Sequence, residues 1–298
     1  VPDYLTRILD RAIRWIEQHQ QERFFCFIHS YVVHAPYSPV PPYDRMFAEG
    51  YEGPLPFAIE PSRIEGLNDR SRNPQEPDVR HIVSLYDGEI RFMDHHVGLF
   101  LEQLTELGLE DHTVVVFTSD HGEEFAEHGQ VGMHGHTLYD ELLRVPLLIR
   151  IPGIKPERIQ RQVRLADLAP TLLALMGIDT QGEFPHGVNL LEGSDPLGPD
   201  LPVLSQRPTP DGLWVSLRYP EGKIMGLDGR VFRLYHIDED PYEQQDVFNW
   251  NRKDDTDLVA DIQARMAECN DMRRYSALPI ELRPEVQEQL HALGYMEE

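Results

Sequence analysis

Cysteine is almost absent from this sequence, with two in 298 residues. A chain of this length buries a core that needs no covalent staples, so a disulfide-built mini-protein is excluded. Long apolar runs are missing as well. Nothing approaches the roughly 18 consecutive apolar residues of a membrane-spanning helix. Lysine is confined to Lys155, Lys223 and Lys253, so any chemistry that requires a lysine has three candidates. Positive charge as a whole is in deficit, 27 Lys and Arg against 51 Asp and Glu for a net charge of −24. That balance argues against nucleic acid as a partner, except through a local patch or a metal. No targeting signal can be read either, since Val1 opens directly into a helical pattern with no basic or apolar targeting region. We expect a further segment upstream of Val1, and periplasmic, secreted and cytoplasmic locations all stay open. Oligomeric state is equally illegible. What remains, with 41% apolar residues, is the composition of a soluble globular protein.

Residues 3 to 20 place Leu5, Leu9, Ile13 and Ile16 at helical spacing, and the apolar run Phe24 to His29 then reads as a buried strand, with His29 buried and structural. Residues 34 to 77 are rich in proline and glycine with no sustained period, an irregular excursion of the kind that shapes a site. From Asp78 to Leu107 one helical face carries Val79, Val83, Tyr86, Ile90, Met93, Val97, Leu101 and Leu104, and Gly108 supplies the stop. Buried strands follow at Thr113 to Thr118 and Val145 to Ile151, separated by a short helix near Tyr139 to Leu143. A further helix runs near Asp167 to Met176. This rhythm predicts an α/β fold with a mostly parallel sheet flanked by helices, ligands lying at the carboxyl ends of the strands. Composition shifts near residue 180. Beyond it Trp214 to Tyr219, Lys223 to Leu227 and Val231 to Ile237 predict an antiparallel meander with a turn at Asp228-Gly229, followed by two polar helices. We therefore expect a catalytic α/β domain over 1–198 and a smaller sheet-plus-helix subdomain over 199–298.

Chemistry concentrates at three predicted strand ends. Asp120 and His121 stand immediately past the strand Thr113 to Thr118, where a carboxylate and an imidazole side by side make half of a metal site. The plain alternative is an ordinary polar exit from a strand. Downstream, His128, His134 and His136 alternate with Gly129, Gly132 and Gly135, imidazoles on a flexible backbone suited to a metal or an anion, or simply a solvated loop. His34 follows the strand Phe24 to His29.

Taken together these segments resemble a known family. The series His34-Ala35-Pro36-Tyr37, Tyr86-Asp87-Gly88-Glu89-Ile90 with Met93-Asp94, Thr118-Ser119-Asp120-His121-Gly122-Glu123, Leu138-Tyr139-Asp140-Glu141 with Arg144-Val145-Pro146-Leu147, and Asp167-Leu168-Ala169-Pro170-Thr171-Leu172 is similar to the sulfatases of the alkaline phosphatase superfamily. Near the C-terminus Leu234-Tyr235-His236-Ile237-Asp238, with Asp240-Pro241 and Glu243, resembles the segment that closes the family's small C-terminal sheet. The resemblance implies an alkaline-phosphatase-like fold. It also implies that Asp120 and His121 are metal ligands and that His34 contacts the sulfate group, while Tyr86, Asp87 and Asp94 are structural. Many members carry a sulfate-binding lysine near the Tyr139 segment, where this chain has Gly135 flanked by His134 and His136. One of these two is expected to replace it, His134 first. The family's Cys/Ser-x-Pro-x-Arg nucleophile, oxidised to formylglycine, and its N-terminal Asp-Asp metal ligands are not found. Pro61-Ser62-Arg63 has Ile59 where the nucleophile would stand. The resemblance is thus to the C-terminal part of a sulfatase.

The expectation is a divalent metal, Ca2+ first, with Mn2+, Mg2+ or Zn2+ as alternatives because His121 brings nitrogen. The expected substrate is a small-molecule or glycan sulfate ester, hydrolysed with a nucleophile from outside this chain. A phosphodiesterase or phosphonate monoester hydrolase is the second reading, separable by comparing sulfate with phosphate turnover on one leaving group. A non-catalytic homologue that binds sulfated glycans is the third.

Overall fold

A computed structural model describes residues 2–48, 50–68, 76–179, 184, 186–191, 201–228 and 231–272. The expected domain boundary at 198/199, Gly229 of the expected turn and the second C-terminal helix lie outside these residues. The chain divides into two compact units, Val1–Phe248 and Asn249–Glu298. Within the described part of the second runs α6, Lys253–Met272, where Arg265 pairs with Asp261 one turn earlier at 3.1 Å.

In the larger unit, α1 (Pro2–His19) buries Leu5, Leu9 and Ile16, the apolar stripe its spacing predicts. The partner is the 31-residue α3 (Glu76–Glu106). Leu5 and Leu9 pack with Phe92, and Ile16 packs with Leu104 and Leu109. Gly108 ends α3 at φ 70°, and the Leu109 amide reaches back to the Leu104 carbonyl at 3.0 Å, closing the carbonyls that a helix end leaves open. The proline-rich excursion is ordered by burial rather than by regular structure. Tyr37 and Ile59, both fully buried, exchange backbone hydrogen bonds and join Ile64 of α2 (Pro61–Asn68), Ile82 and Leu85 of α3, and Val131 in one cluster.

Strands β1 (Val115–Thr118) and β2 (Leu147–Arg150), with the short helix α4 (Asp140–Leu143) between them, form an antiparallel pair in the register Val115 with Arg150 to Thr118 with Leu147. Among the described residues no parallel ladder is formed. The run Phe24 to His29 is extended but has no ladder partner among them. Its burial alternates. Phe24, Cys26 and Ile28 turn toward the helices, while Phe25 and Phe27 are 60% and 77% exposed and His29 is exposed. A strand buried on both faces, with a buried His29, is therefore not what forms. An apolar run fixes which residues prefer burial but not whether both faces find a cover. Phe117 and Leu148, cross-strand partners in β1 and β2, are exposed in the same way.

Helix α5 (Leu168–Leu175) is anchored by buried Asp167, which accepts hydrogen bonds from the backbone and guanidinium of Arg164 and from the Val188 amide. The antiparallel meander forms as expected, with β4 (Gly212–Arg218), β5 (Gly222–Leu227) and β6 (Val231–His236). An unpredicted edge strand, β3 (Val203–Thr209), completes it. Pro208 and the glycine- and proline-rich surroundings masked that strand, and an edge position is where a strand tolerates a residue without a backbone donor. The sheet packs against the site-bearing chain through Met225, Tyr235 and Ile237, which meet Leu138 and Tyr139.

Candidate functional site

Three loops converge, and one tyrosine ties them together. The Tyr37 hydroxyl donates to the Glu123 carboxylate and accepts from the Met133 amide at 2.9 Å. It thereby links the segment carrying His34, the exit of β1 carrying His121, and the glycine-rich loop carrying His134. Burial, followed by the charge and hydrogen bond of Glu123, pushes the Tyr37 hydroxyl far above its ordinary range, so it stays protonated and keeps its donor. Asn68 clamps the third loop from the other side, its side-chain amide exchanging hydrogen bonds with the Val131 backbone at 2.7 and 3.0 Å. Val33 and Met133, each immediately before a site histidine, sit at positive φ, 73° and 68°. A β-branched residue there is a strained choice that the surrounding packing holds in place.

The result brings His34, His121 and His134 together, one ring nitrogen of each lying within 4.8 Å of the others. His34 Nδ1 lies 2.7 Å from the Ala35 carbonyl and His121 Nδ1 lies 2.8 Å from that of Gly122. A carbonyl only accepts, so both Nδ1 atoms carry a proton, and in the neutral ring each Nε2 presents a lone pair. His34 Nε2 and His134 Nε2 are 2.9 Å apart. Burial, then the neighbouring His121 and His34, pushes His134 down to about 4, which keeps it neutral at physiological pH. Burial also raises the carboxyls of Glu123 and Glu124 to about 7.

Asp120 is exposed and stands beside the triad rather than inside it, with its Oδ1 3.8 Å from His121 Nε2. Carboxylate oxygen and imidazole nitrogen at that separation are a donor pair that one divalent ion would suit. His136 is exposed and outside the triad, and its carbonyl accepts from Arg207 at 3.2 Å. His128, the third histidine of the loop, is taken up structurally. It stacks on Tyr139 at 3.4 Å between ring centres, and its nitrogens meet Glu141 at 2.6 Å and the Glu243 carbonyl at 3.0 Å.

Behind the site lies a buried ionic cluster that sequence reasoning missed. Lys223 of β5 is wholly buried and pairs with Asp140 and Glu243, each at 2.9 Å, while Arg218 of β4 reaches Asp140 at 2.9 Å. Burial opposes ionisation of Asp140, but Lys223 and Arg218 outweigh it and hold its carboxyl below the usual range. Burial wins at Glu243, whose carboxyl is pushed up. Asp140 and Glu243 both face Lys223, and Asp140 also faces Arg218. The cluster fixes α4, and α4 holds the residue next to His121, because the Gly122 amide donates to the Leu142 carbonyl at 2.8 Å. A Cβ at Gly122 would lie 1.9 Å from the Glu141 carbonyl oxygen, so only glycine permits this approach. Of the three lysines, none joins the triad. Tyr86 packs edge-on against Tyr37, as a structural residue does, and Asp94 lies exposed beside Arg91.

The sulfatase family model matches residues 3–178. The chain belongs to the sulfatase family. An ulvan-active sulfatase from Formosa agariphila is 34% identical over 121 residues, which are 40% of this chain and 21% of that protein. Among solved structures, one in complex with its substrate D-glucosamine-2-N,6-O-disulfate superposes at a TM-score of 0.65 with 16% identity, covering 89% of this chain and 70% of that one. The phosphonate monoester hydrolase of Agrobacterium radiobacter superposes at 0.63 with 22% identity, covering 89% and 59%. These two likenesses establish the alkaline-phosphatase-like α/β fold. The sulfatase chain spans only about a fifth to two fifths of the length of the first curated relatives it matches. No helix among its described residues is long and apolar enough to cross a membrane.

Proposed function

We propose that this chain is the portion of a sulfuric ester hydrolase that grips the sulfo group and supplies part of the metal site. The observation that carries the reading is the convergence of His34, His121 and His134, from three separate loops, on one point beside Asp120. Hydrolysis of a sulfate ester requires that negative oxygens be held while a nucleophile displaces an alkoxide in line. In this reading His34 and His134 hold the sulfo oxygens. With Nδ1 committed to Ala35, the Nε2 of His34 donates to an anion only as imidazolium, so the anion arrives together with a proton. His134 is preferred to His136 because it shares the His34 contact. Asp120 and His121 would hold a divalent metal, which supplies charge neutralisation at the transferring group when bound. Calcium is our first choice for that pair once further oxygen ligands complete it, with Mn2+, Mg2+ and Zn2+ the alternatives.

The nucleophile, in this reading a formylglycine, comes from polypeptide outside these 298 residues. A sulfated carbohydrate is the substrate class we favour, by analogy with the structural neighbour bound to a disulfated glucosamine. We also retain a catalytic part over 1–198 and a sheet-plus-helix part over 199–298. Peptide mass spectrometry on the complete gene product tests the reading. A formylglycine-bearing peptide is the expected result. An unmodified residue in its place would favour the phosphonate or phosphodiester reading, to which the phosphonate monoester hydrolase neighbour lends support. No such segment anywhere in the product would leave a binding protein.

A further inference from the structure

One cationic side chain stands at the rim of the site with no part in holding the sulfo group or the metal. We propose that Arg207 of β3 binds a second oxyanion, a sulfate or a carboxylate, on the sugar that carries the reacting sulfate ester. It would thereby set a preference for polyanionic substrates, an assignment that rests on the sulfatase reading.

Arg207 Nη1 donates to the His136 carbonyl at 3.2 Å, and His136 stands two residues beyond His134. Burial, then the Arg207 charge, pushes the His136 imidazole below its ordinary value, so the field of the guanidinium reaches the loop that carries His134. The sheet fixes this position. Arg207 lies directly opposite Trp214 of β4 in the strand register, which puts the two side chains on one face. That face is turned to the site, because Trp214 packs against the cluster of Leu138 and Tyr139. The Arg233 guanidinium lies over the Trp214 ring at 5.8 Å. A cation carried on a supported strand is held more precisely than one on a loop. Its donors are also largely unused. A guanidinium presents five N–H groups in a planar fork, and among the described residues that of Arg207 meets a single backbone carbonyl. The neighbouring arginines are committed, Arg218 to Asp140 at 2.9 Å and Arg233 to the Tyr139 hydroxyl at 2.5 Å.

The fork geometry selects the ligand. Planar N–H pairs match the oxygens of a carboxylate or a sulfate two at a time. A net charge of −24 repels a sugar that bears several anions, so a cation at the rim is what admits the second charge. A plain staple between the histidine loop and the sheet accounts for the His136 bond, but a carbonyl needs only a neutral donor. Compensation of Glu124 does not account for the charge either, since burial pushes that carboxyl up to about 7 despite Arg207.

The test is calorimetric titration of the full 298-residue chain with three sugars, in the presence of Ca2+ and at one fixed ionic strength. N-acetylglucosamine 6-sulfate carries one oxyanion, glucosamine-2-N,6-O-disulfate adds a sulfate, and glucuronic acid 2-sulfate adds a carboxylate. The expected result is that at least one dianion binds about 10–100-fold more tightly than the monosulfate, the worth of a hydrogen bond to a charged group. Which dianion does so separates sulfate from carboxylate. Arg207→Gln should abolish the preference, and Arg207→Lys, which keeps the charge without the fork, should retain part of it. If Arg207 only staples the loop, Arg207→Gln weakens all three ligands together and leaves their ratio unchanged, which would overturn the proposal. Equal affinity for the three in the unaltered chain would also overturn it, and that result needs no variant to fold. Binding of none of them would remove the sulfatase reading and the role of Arg207 with it, whereas equal binding of all three removes the role of Arg207 alone.

Discussion

Tyr37 does more for the site than any of the histidines it positions. Its ring fills the core, and its hydroxyl holds two of the three histidine-bearing loops while its own chain carries the third. Tyr37→Phe keeps the ring and strips both hydrogen bonds, leaving Glu123 and the Met133 amide without that partner. The expected cost is about 1–3 kcal/mol in urea unfolding, together with displaced imidazole resonances of His121 and His134 in NMR spectra. Unchanged resonances would show that the loops need no such tie. Glu89 makes a second prediction. Burial pushes its carboxyl up to about 8, against an ordinary value of 4.5, so the folded state favours the protonated form. Its contribution is fully present below pH 4.5 and is lost as pH rises through about 8. At about 1.4 kcal/mol per unit, this is on the order of 5 kcal/mol of stability. Glu89→Gln should flatten the decline in stability over that window, measured by denaturation at a series of pH values. The histidines were visible in the sequence as candidates, but their ranking was not. His128, His134 and His136 look alike along the chain, and only the Tyr37 and Asn68 clamps and the Tyr139 stack decide that His134 alone faces His34.

Helices with a long uninterrupted period were legible, α3 and its Gly108 stop above all, because packing against α1 acts on the same residues that periodicity marks. The meander β4–β6 was legible for the corresponding reason at period two. Strand β3 was hidden by Pro208, and the antiparallel sense of β1 and β2 was hidden because an apolar run carries no direction. Also hidden was the bond between the four-stranded sheet and the site, since Lys223 reads as one more lysine until Asp140 and Glu243 are seen around it. Lys223→Met tests that bond. Removing one partner of a buried pair costs about 3–5 kcal/mol, and here it leaves Asp140 with Arg218 alone among the described residues. The variant should unfold earlier in urea, and a further Asp140→Asn change should recover part of the loss. A loss under about 1 kcal/mol would mean that the cluster is solvated and does not tie the sheet to the site.

The molecule as a whole carries a strong negative charge, which keeps copies apart, and yet presents a segment whose backbone has no ladder partner among the described residues and which exposes two phenylalanines. Unpaired edges with apolar side chains invite association. Prepared as these 298 residues, the chain should bind a hydrophobic dye and scatter light increasingly as salt screens its charge, and Phe25→Ser with Phe27→Ser should reduce both. Family membership and the α/β fold follow from the match over residues 3–178 and from the structural neighbours, whereas the chemistry rests on the three imidazoles and on Asp120. The measurement that bears most directly on that chemistry is turnover by the complete gene product of 4-nitrophenyl sulfate and 4-nitrophenyl phosphate, which share one leaving group, in the native form and in His34→Ala. The account predicts faster turnover of the sulfate, and a kcat on it that falls about 10²–10³-fold in His34→Ala, the cost of removing one oxyanion donor. Faster turnover of the phosphate, or a His34→Ala enzyme as fast as the native one, would contradict it.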